Sequence, residues 1–358
     1  MPTVNLLEYL NSRTQVDIDT YSAEASKEIG HFQDATGNQL EMQAEIVKPS
    51  RSAVLKRSLA LATTIHPQFA NLSFEELAVE VVGIGLALEV IQNVYGNVHV
   101  MINPSYAYNT EAIVENAQRK RYPSRPTPRR DVNLRTPGLH LICQIVDPDF
   151  DTSRLVTKIP TTWEGMQAAR QLKQSGIKTL ATTLFSMEQA ILAGEAGCIS
   201  ISPFVHELKT ETYKGYKDSN PILGVCVQAQ QFYRQNSMPT RVKACVTLSI
   251  DELIMLAGVD ALTIAPAILK ELAAIERPQE ELESMSLFAK TAKATEPASY
   301  PSYIDSESQY RVQFAASEGG KAQFKTAQAI ALFCDAQTAV ELYVKSQLEV
   351  SSYTPITL

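Results

Sequence analysis

Residues 155–164 of the chain read LVTKIPTTWE, and they join an apolar strand to the start of a helix. Residues 155–160 form a short apolar run of the kind found in buried strands. Residues 161–164 fit a capping box, in which a threonine hydroxyl and a glutamate three residues later bind the free amides of a helix start. The predicted helix has apolar residues on one face and a glycine at its end, namely Trp163, Met166, Ala169, Leu172 and then Gly176.

This unit of strand, capped helix and glycine recurs along the chain. Similar capping boxes occur at residues 73–76, 186–189 and 249–252. Strands that alternate with helices at this spacing indicate parallel βαβ units. Counting gives eight strands, near residues 32–36, 98–103, 140–146, 155–160, 179–184, 198–204, 242–247 and 261–265. We therefore predict an α/β fold, a (β/α)8 TIM barrel, rather than an open sheet that binds a dinucleotide, because no GxGxxG follows the first strand.

We expect residues 1–358 to form one barrel domain, since α/β barrels commonly exceed 250 residues as a single unit. Residues 119–152 interrupt the rhythm and are rich in proline and arginine, so we predict an insertion there, before the strand that carries Lys158. Residues 283–322 are irregular and polar. Residues 321–350 predict one or two C-terminal helices that pack on the outside of the barrel.

The composition is that of an ordinary globular protein, with 45% hydrophobic and 20% charged residues. A net charge of −7 argues against nucleic acid or an anionic membrane as a partner. The first residues lack a signal-peptide pattern, and no apolar run reaches the roughly 20 residues of a spanning helix, so we expect a cytoplasmic protein. The five scattered cysteines predict reduced, buried thiols, and no cysteine or histidine cluster suggests a metal or other cofactor.

Lys158 is the first candidate for chemistry. It lies near the end of its predicted strand, and active sites of such barrels lie where strands end. A buried lysine shifts toward the neutral amine, which is the form that attacks carbonyl groups. The competing interpretation is a lysine that reaches the rim or pairs with a carboxylate. Hydroxyl side chains at the ends of the next strands, Thr182 and Ser202, could orient water or substrate.

Several segments resemble the transaldolase family in one order over about residues 15–285. Residues 34–38 (DATGN), 108–112 (YNTEA) and 158–165 (KIPTTWEG) resemble its D-A-T-S/T-N-P, Y/F-D-T-E-A and K-[IL]-A-[SA]-T-W-x-G motifs. Residues 182–186 (TTLFS), 201–205 (ISPFV) and 262–272 (LTIAPAILKEL) match three further motifs.

The resemblance implies a transaldolase-type barrel in which Lys158 forms an imine with a carbonyl substrate. It also implies that Asn38 and Ser202 form hydrogen bonds with the bound substrate near Phe204, and that Thr182 holds a catalytic water. Asp19 is the match to an aspartate near the first strand. A homodimer is the oligomeric state that the family suggests.

The departures from the family pattern concern acid–base chemistry and phosphate binding. Met101 and Asn103 replace the family's glutamate and aspartate, and a thioether cannot act as a general base. His206 and Glu207 stand at the loop of one phosphate-binding arginine, and Leu248 stands at the position of the other. Arginine binds phosphate through charge-assisted bidentate bonds, so a glutamate there should repel phosphate.

Two compensations remain open. Cations of the insertion could reach the site, namely Arg125, Arg129, Arg130 and Arg135. His206 could supply the missing acid–base group, because its ordinary pKa is near neutrality.

Three functional interpretations follow. The first is a divergent Schiff-base lyase or transferase that acts on a non-phosphorylated carbonyl compound through Lys158, in a specialised pathway such as secondary metabolism. The second is a barrel that serves as a binding or assembly module. The third is an ordinary transaldolase whose phosphate site has moved.

Overall fold

A closed barrel of eight parallel strands forms the centre of the protein in the computed structural model, which describes residues 2–30, 32–69, 71–118, 139–290 and 299–352. Each strand pairs with its neighbours in chain order, and the last strand pairs with the first. The strands are β1 (Gln15–Asp19), β2 (Ala35–Thr36), β3 (Val98–Met101), β4 (Leu155–Pro160), β5 (Lys178–Leu184), β6 (Ser200–Pro203), β7 (Arg241–Ala244) and β8 (Ala261–Ile264). The predicted (β/α)8 barrel is confirmed.

Helices surround the strands and fill the connections between them. Those up to β4 are Leu6–Asn11, Ala23–Ile29, Gln39–Ile46, Ser52–Ile65, Phe74–Val90, Thr110–Gln118 and Leu139–Val146. Those between β4 and β8 are Trp163–Gln174, Met187–Ala196, Lys209–Thr212, Leu223–Gln235 and Ile250–Met255. Those after β8 are Pro266–Ala274, Gln279–Met285, Leu287–Lys290, Glu307–Ala316 and Lys321–Ser352. A short antiparallel pair, Thr3–Asn5 with Glu276–Pro278, lies beside the barrel.

One predicted strand is wrong. Residues 140–146 lie in the helix Leu139–Val146, and the eighth strand is instead Gln15–Asp19. A short apolar run does not distinguish a buried strand from a buried helix by its pattern alone. Gln15–Asp19 (QVDID) carries two aspartates, which hide its strand character in the sequence.

Ion pairs inside the barrel explain one of these aspartates. Lys243 Nζ on β7 lies 2.6 Å from Asp17 Oδ2 on β1, and it also binds Asp34, which accepts a bond from His99 on β3 at 3.3 Å. β7 is a neighbour of neither β1 nor β2, so the contacts of Lys243 cross the interior of the barrel. Asp17, Asp34, His99 and Lys243 are all buried, and His99 therefore faces the barrel interior rather than the helices.

The capping signals are largely confirmed, with a shift of one residue at the helix after β4. Thr162, rather than Thr161, is the N-cap there, and its hydroxyl accepts a bond from Gly165 N at 2.8 Å. Ser73, Ser186 and Ser249 cap their helices as predicted.

The C-terminal helix, Lys321–Ser352, packs outside the ring of strands as predicted, and it crosses their carboxyl ends. Thr326 Oγ1 donates to the carbonyl of Thr183 on β5 at 3.3 Å. The Phe333 ring lies 6.4 Å from that of Phe204, which follows β6. Cys334 Sγ lies 3.8 Å from Ser105 Oγ, just after β3. The helix therefore covers part of the mouth of the barrel.

Among the described residues no helix is both long and apolar enough to cross a membrane. The five cysteines are free, and all but Cys334 are buried, as the sequence predicts. The predicted insertion lies mostly outside the described residues, and so do Arg125, Arg129, Arg130 and Arg135.

Candidate active site

Lys158 extends from β4 into the barrel near its carboxyl end. The strand register places it beside Met101 of β3 and Leu180 of β5. Only 3% of Lys158 is exposed, and its Nζ forms no hydrogen bond or salt bridge with any residue that the structure describes. The side chain is therefore buried, yet its amine is not engaged by a partner.

Two other buried lysines show how a structural lysine is accommodated in this fold. Lys243 binds Asp17 and Asp34, as described above, and Lys325 Nζ lies 2.6 Å from Asp218 Oδ2. A buried charge without a partner is costly, so buried lysines of this kind need carboxylates. Lys158 lacks such a pair within the described part of the chain, which favours a chemical role for its amine over a structural one.

Thr182 lies close to this lysine across the β4–β5 pair, opposite Pro160. It is fully buried, and its Oγ1 has no partner among the described residues. The register between β5 and β6 shifts here, and the next residue, Thr183, has a φ of +56°. A β-branched residue in the left-handed region is strained, and such strain is concentrated at functional sites. The bulge leaves the Thr182 hydroxyl free to bind a water or a substrate.

Ser202 and Cys245 line the opposite side of the site. Ser202 Oγ lies 3.2 Å from Cys245 Sγ, and both residues are buried. Burial raises the pKa of the Cys245 thiol, and the charge of Lys158 together with the bond from Ser202 opposes that rise only in part. The thiol therefore stays protonated, and it places a neutral group near Lys158.

Asp19 is the last residue of β1, and Asn38 follows β2. Asn38 caps the helix Gln39–Ile46, where its Oδ1 accepts bonds from Leu40 N at 2.8 Å and Glu41 N at 3.3 Å. Its Nδ2 donates to no described residue and so can serve a ligand. Asp19 accepts a bond from Thr36 Oγ1 at 2.6 Å and interacts electrostatically with Cys245, which places it in the same site.

The sequence analysis missed two carboxylates at this site, Glu41 and Glu211. Burial and the charge of Asp19 raise the pKa of Glu41, while Lys158 lowers it. Desolvation and Asp19 likewise raise the pKa of Glu211 to about 7, again opposed by Lys158. The side chain of Glu211 is more exposed than that of Glu41, and Glu41 is the more strongly perturbed of the two groups. A capping-box pattern in the sequence, Asn38 with Glu41 three residues later, could have revealed Glu41.

A buried tyrosine lies beside these carboxylates. The Tyr21 ring fits against Gly37, where an added Cβ would lie 2.4 Å from a ring carbon. Its hydroxyl has no hydrogen-bond partner within the described ranges. Burial, together with Glu41 and Asp19, raises its pKa, so Tyr21 remains a neutral phenol.

Several predicted site residues are engaged elsewhere. Asn103 donates to Glu76 Oε1 at 3.1 Å, on the outer side of the barrel wall. His206 Nε2 lies 2.7 Å from Glu252 Oε1, so this nitrogen already has a carboxylate as its hydrogen-bond partner. Leu248 is 49% exposed, on the loop after β7.

Glu207 and Phe204 contact the C-terminal helix. Glu207 is buried and accepts bonds from Tyr216 Oη at 2.5 Å and from Gln328 Nε2 at 2.9 Å. Phe204 packs edge-to-face between Phe185 and Phe333. These side chains therefore hold the helix that covers the mouth.

Comparisons with known proteins identify the family to which the chain is similar. A family model described as transaldolase/fructose-6-phosphate aldolase matches residues 16–341. A transaldolase of Shewanella oneidensis is 30% identical over 354 residues, which cover 96% of this chain and 99% of that protein. A transaldolase of Shewanella putrefaciens is 28% identical over 349 residues, with the same coverage of both chains.

Proposed function

This chain belongs to the transaldolase/fructose-6-phosphate aldolase family, and from that premise we propose that it is a Schiff-base lyase or transferase that acts on a non-phosphorylated carbonyl compound through an imine at Lys158. The observation that carries the proposal is the buried side chain of Lys158, whose amine has no bonding partner among the described residues. Membership of the family supports carbon–carbon bond chemistry of the aldolase type.

Imine formation follows from the chemistry of a neutral amine. Lys158 Nζ adds to the carbonyl carbon, and the electron pair of the C=O bond moves to oxygen. One proton then passes from nitrogen to that oxygen, and a second arrives from an acid. The oxygen leaves as water while the nitrogen lone pair forms the C=N bond of a protonated imine. Thr182 Oγ1, which is buried and unpaired among the described residues, is positioned to hold this water.

Cleavage uses the imine as an electron sink. A base removes the proton of the hydroxyl group on the carbon β to the imine carbon, and that C–O bond becomes a carbonyl. The electron pair of the broken carbon–carbon bond forms the enamine, and the C=N pair moves to nitrogen. An aldehyde leaves, and the enamine either takes a proton or adds to a second aldehyde. Asn38 Nδ2 and Ser202 Oγ are the groups that would bind substrate hydroxyls.

The absence of a phosphate in the substrate is proposed from the residues at the mouth. Glu207 stands where the family pattern has an arginine, and it is buried in bonds to Tyr216 and Gln328. Leu248 stands at the second arginine position and carries no charge. Asp19, Glu41 and Glu211 place carboxyl groups rather than cations around Lys158. A phosphate in this environment would be repelled rather than bound.

Borohydride trapping tests this proposal directly. The protein is incubated with dihydroxyacetone, hydroxyacetone, pyruvate and aromatic or aliphatic aldehydes, reduced, and examined by intact mass and peptide mapping. We expect a substrate-dependent mass gain on Lys158 that the variant Lys158→Met lacks. Lys270→Met is the matched control, because Lys270 is an exposed lysine paired with Glu28, and this variant should label normally. An adduct of equal yield in Lys158→Met would contradict the mechanism. No adduct in the wild type would favour the binding-module interpretation.

A second candidate is transaldolase activity on sugar phosphates, which the named relatives favour, since they align over 96% of this chain. Transfer from fructose 6-phosphate to erythrose 4-phosphate, measured at high enzyme concentration, distinguishes the two. Efficient turnover would show that phosphate is bound by other residues and would overturn the non-phosphorylated substrate.

A further inference from the structure

The proposed reaction needs a proton donor and acceptor that the strand beside Lys158 does not provide. Met101 of β3 is in register with Lys158 and is buried, and its thioether carries no transferable proton. Imine formation requires an acid, and cleavage requires a base. The group that supplies these protons must therefore come from another element of the barrel mouth.

Glu41 reaches the site from the first turn of the helix Gln39–Ile46, which follows β2. Its Oε2 accepts a bond from Asn38 N at 2.9 Å, which fixes the side chain over the capping residue. Its Oε1 is bound by no residue in the described part of the chain. The helix start is tied to the end of β3, because Gln39 Nε2 donates to the carbonyl of Ile102 at 3.1 Å. Glu41 thus has one oxygen anchored to Asn38 and one without a partner among the described residues, and both Asp19 and Lys158 lie close enough to shift its pKa.

The charges that face Glu41 come from several elements. Asp19 of β1 and Glu211 of the helix Lys209–Thr212 favour its protonated form, and Lys158 of β4 favours its carboxylate. Burial is the largest effect and, with the two carboxylates, raises the pKa of Glu41. A catalytic acid–base group works best when its pKa is near the working pH, because both protonation states are then populated. An acid that is held protonated toward neutral pH and faces an amine fits this requirement.

We propose that Glu41 is the catalytic acid–base residue of this chain, in place of the missing glutamate at the Met101 position. This inference rests on the proposed function of Lys158. The protonated carboxyl of Glu41 gives its proton to the departing oxygen of the carbinolamine, and water leaves. The resulting carboxylate then takes the hydroxyl proton in the cleavage step, so that Glu41 ends the two steps as it began.

The other titratable groups are less suited. Asp19 Oδ1 accepts a bond from Thr36 Oγ1 at 2.6 Å, and the charge of Asp19 favours the protonated form of Glu41. His206 Nε2 is bound to Glu252. Glu211 lies exposed at the rim, where solvent can exchange its proton, so it modulates Glu41 through charge rather than carrying the transfer itself.

Deuterium exchange into dihydroxyacetone and hydroxyacetone, followed by NMR in D2O, measures enamine formation without knowledge of the natural substrate. Glu41→Gln keeps a side-chain oxygen that can accept the bond from Asn38 N, so the helix cap is retained. We expect this variant to lose about 10²- to 10⁴-fold in exchange rate. Lys158 should still be labelled slowly by borohydride. Glu41→Asp should retain part of the rate with a shifted pH profile, whereas Glu41→Gln should lose the corresponding limb of the profile.

A rescue variant separates a catalytic role from a structural one. Met101→Glu restores a carboxyl beside Lys158, and in the Glu41→Gln background it should recover at least about tenfold of the lost rate. Exchange by Glu41→Gln at the wild-type rate, with Lys158 labelled, would overturn the role of Glu41 and leave the proposed function intact. Failure of the wild type to label on Lys158 with either compound would overturn both. If Glu41→Gln does not fold, Glu41→Asp and its pH profile decide the question.

Discussion

Replacement of Asp218 by asparagine should weaken the attachment of the C-terminal helix to the barrel. Lys325 Nζ lies 2.6 Å from Asp218 Oδ2, and the two side chains are 2% and 0% exposed. In Asp218→Asn the ammonium group keeps the carbonyl of Asn220 at 2.6 Å, and the Phe185 ring lies 5.9 Å away. It loses the only negative charge that it contacts among the described residues.

Removal of one partner from a buried ion pair costs about 3–5 kcal/mol, because the other charge stays buried without compensation. For 358 residues, an unfolding entropy of about 2.1 cal/mol/K per residue gives about 0.75 kcal/mol/K. We therefore expect Tm to fall by about 4–7 °C.

The contribution of Asp218 to stability also depends on pH. Burial raises the pKa of Asp218, but the bonds from Lys325 and from the Asn220 and Glu207 amides lower it by more, so the net shift is downward. The stabilisation is thus present above the unfolded pKa of about 3.9 and is lost as pH falls through the folded pKa.

Calorimetry and urea unfolding measure this loss, and the double variant Asp218→Asn/Lys325→Met tests its cause. If the unpaired ammonium is responsible, the apolar side chain should recover at least about 2 kcal/mol. Glu28→Gln is the control, since it breaks an exposed pair with Lys270 and should cost less than about 1 kcal/mol. A loss below about 1 kcal/mol in Asp218→Asn, or no recovery in the double variant, would refute the reasoning.

Two further predictions concern the first turn beyond β2. Gly37→Ala should cost about 1–3 kcal/mol, because its Cβ would lie 2.4 Å from the buried Tyr21 ring, and an unchanged urea midpoint would contradict this expectation. Glu41→Gln should gain stability relative to the wild type as pH rises. Burial and Asp19 raise the pKa of Glu41, so the stability contributed by its protonated form is full below the unfolded pKa and is lost through the folded pKa. Thermal scans at about pH 4 and about pH 8 check this, and an equal difference at both would count against it.

Local patterns predicted much of this fold because each strand–helix unit carries its own signals. The strands at β4 to β8 and the caps at Ser73, Ser186 and Ser249 were all predicted from residues a few positions apart. The helix Leu139–Val146 was misassigned as a strand, since a short segment with six apolar residues among its eight suits either structure. β1 was missed because it contains the buried charge of Asp17. The residue that compensates this charge, Lys243, lies 226 positions away in the chain, so no local pattern reveals it.

The site was predicted where a motif and a strand end coincide, as at Lys158, Thr182 and Ser202. The charged groups around the site were not predicted, because their positions depend on which loops meet above the closed barrel. Nothing in the sequence near Glu211 connects it with Asp19. His206 similarly has Glu252 as its partner, 46 positions later in the chain.

The path of the C-terminal helix has a consequence for how the protein is made on the ribosome. Every strand of the barrel and each residue assigned here to the chemistry precedes residue 265 in the chain, whereas the helix that covers the mouth begins at Lys321. During translation the barrel can close while Phe185 and Phe204 still lack Phe333, so an apolar surface at the mouth stays open until the last helix leaves the exit tunnel. That interval is when a nascent chain of this protein is most exposed to chaperones and to aggregation.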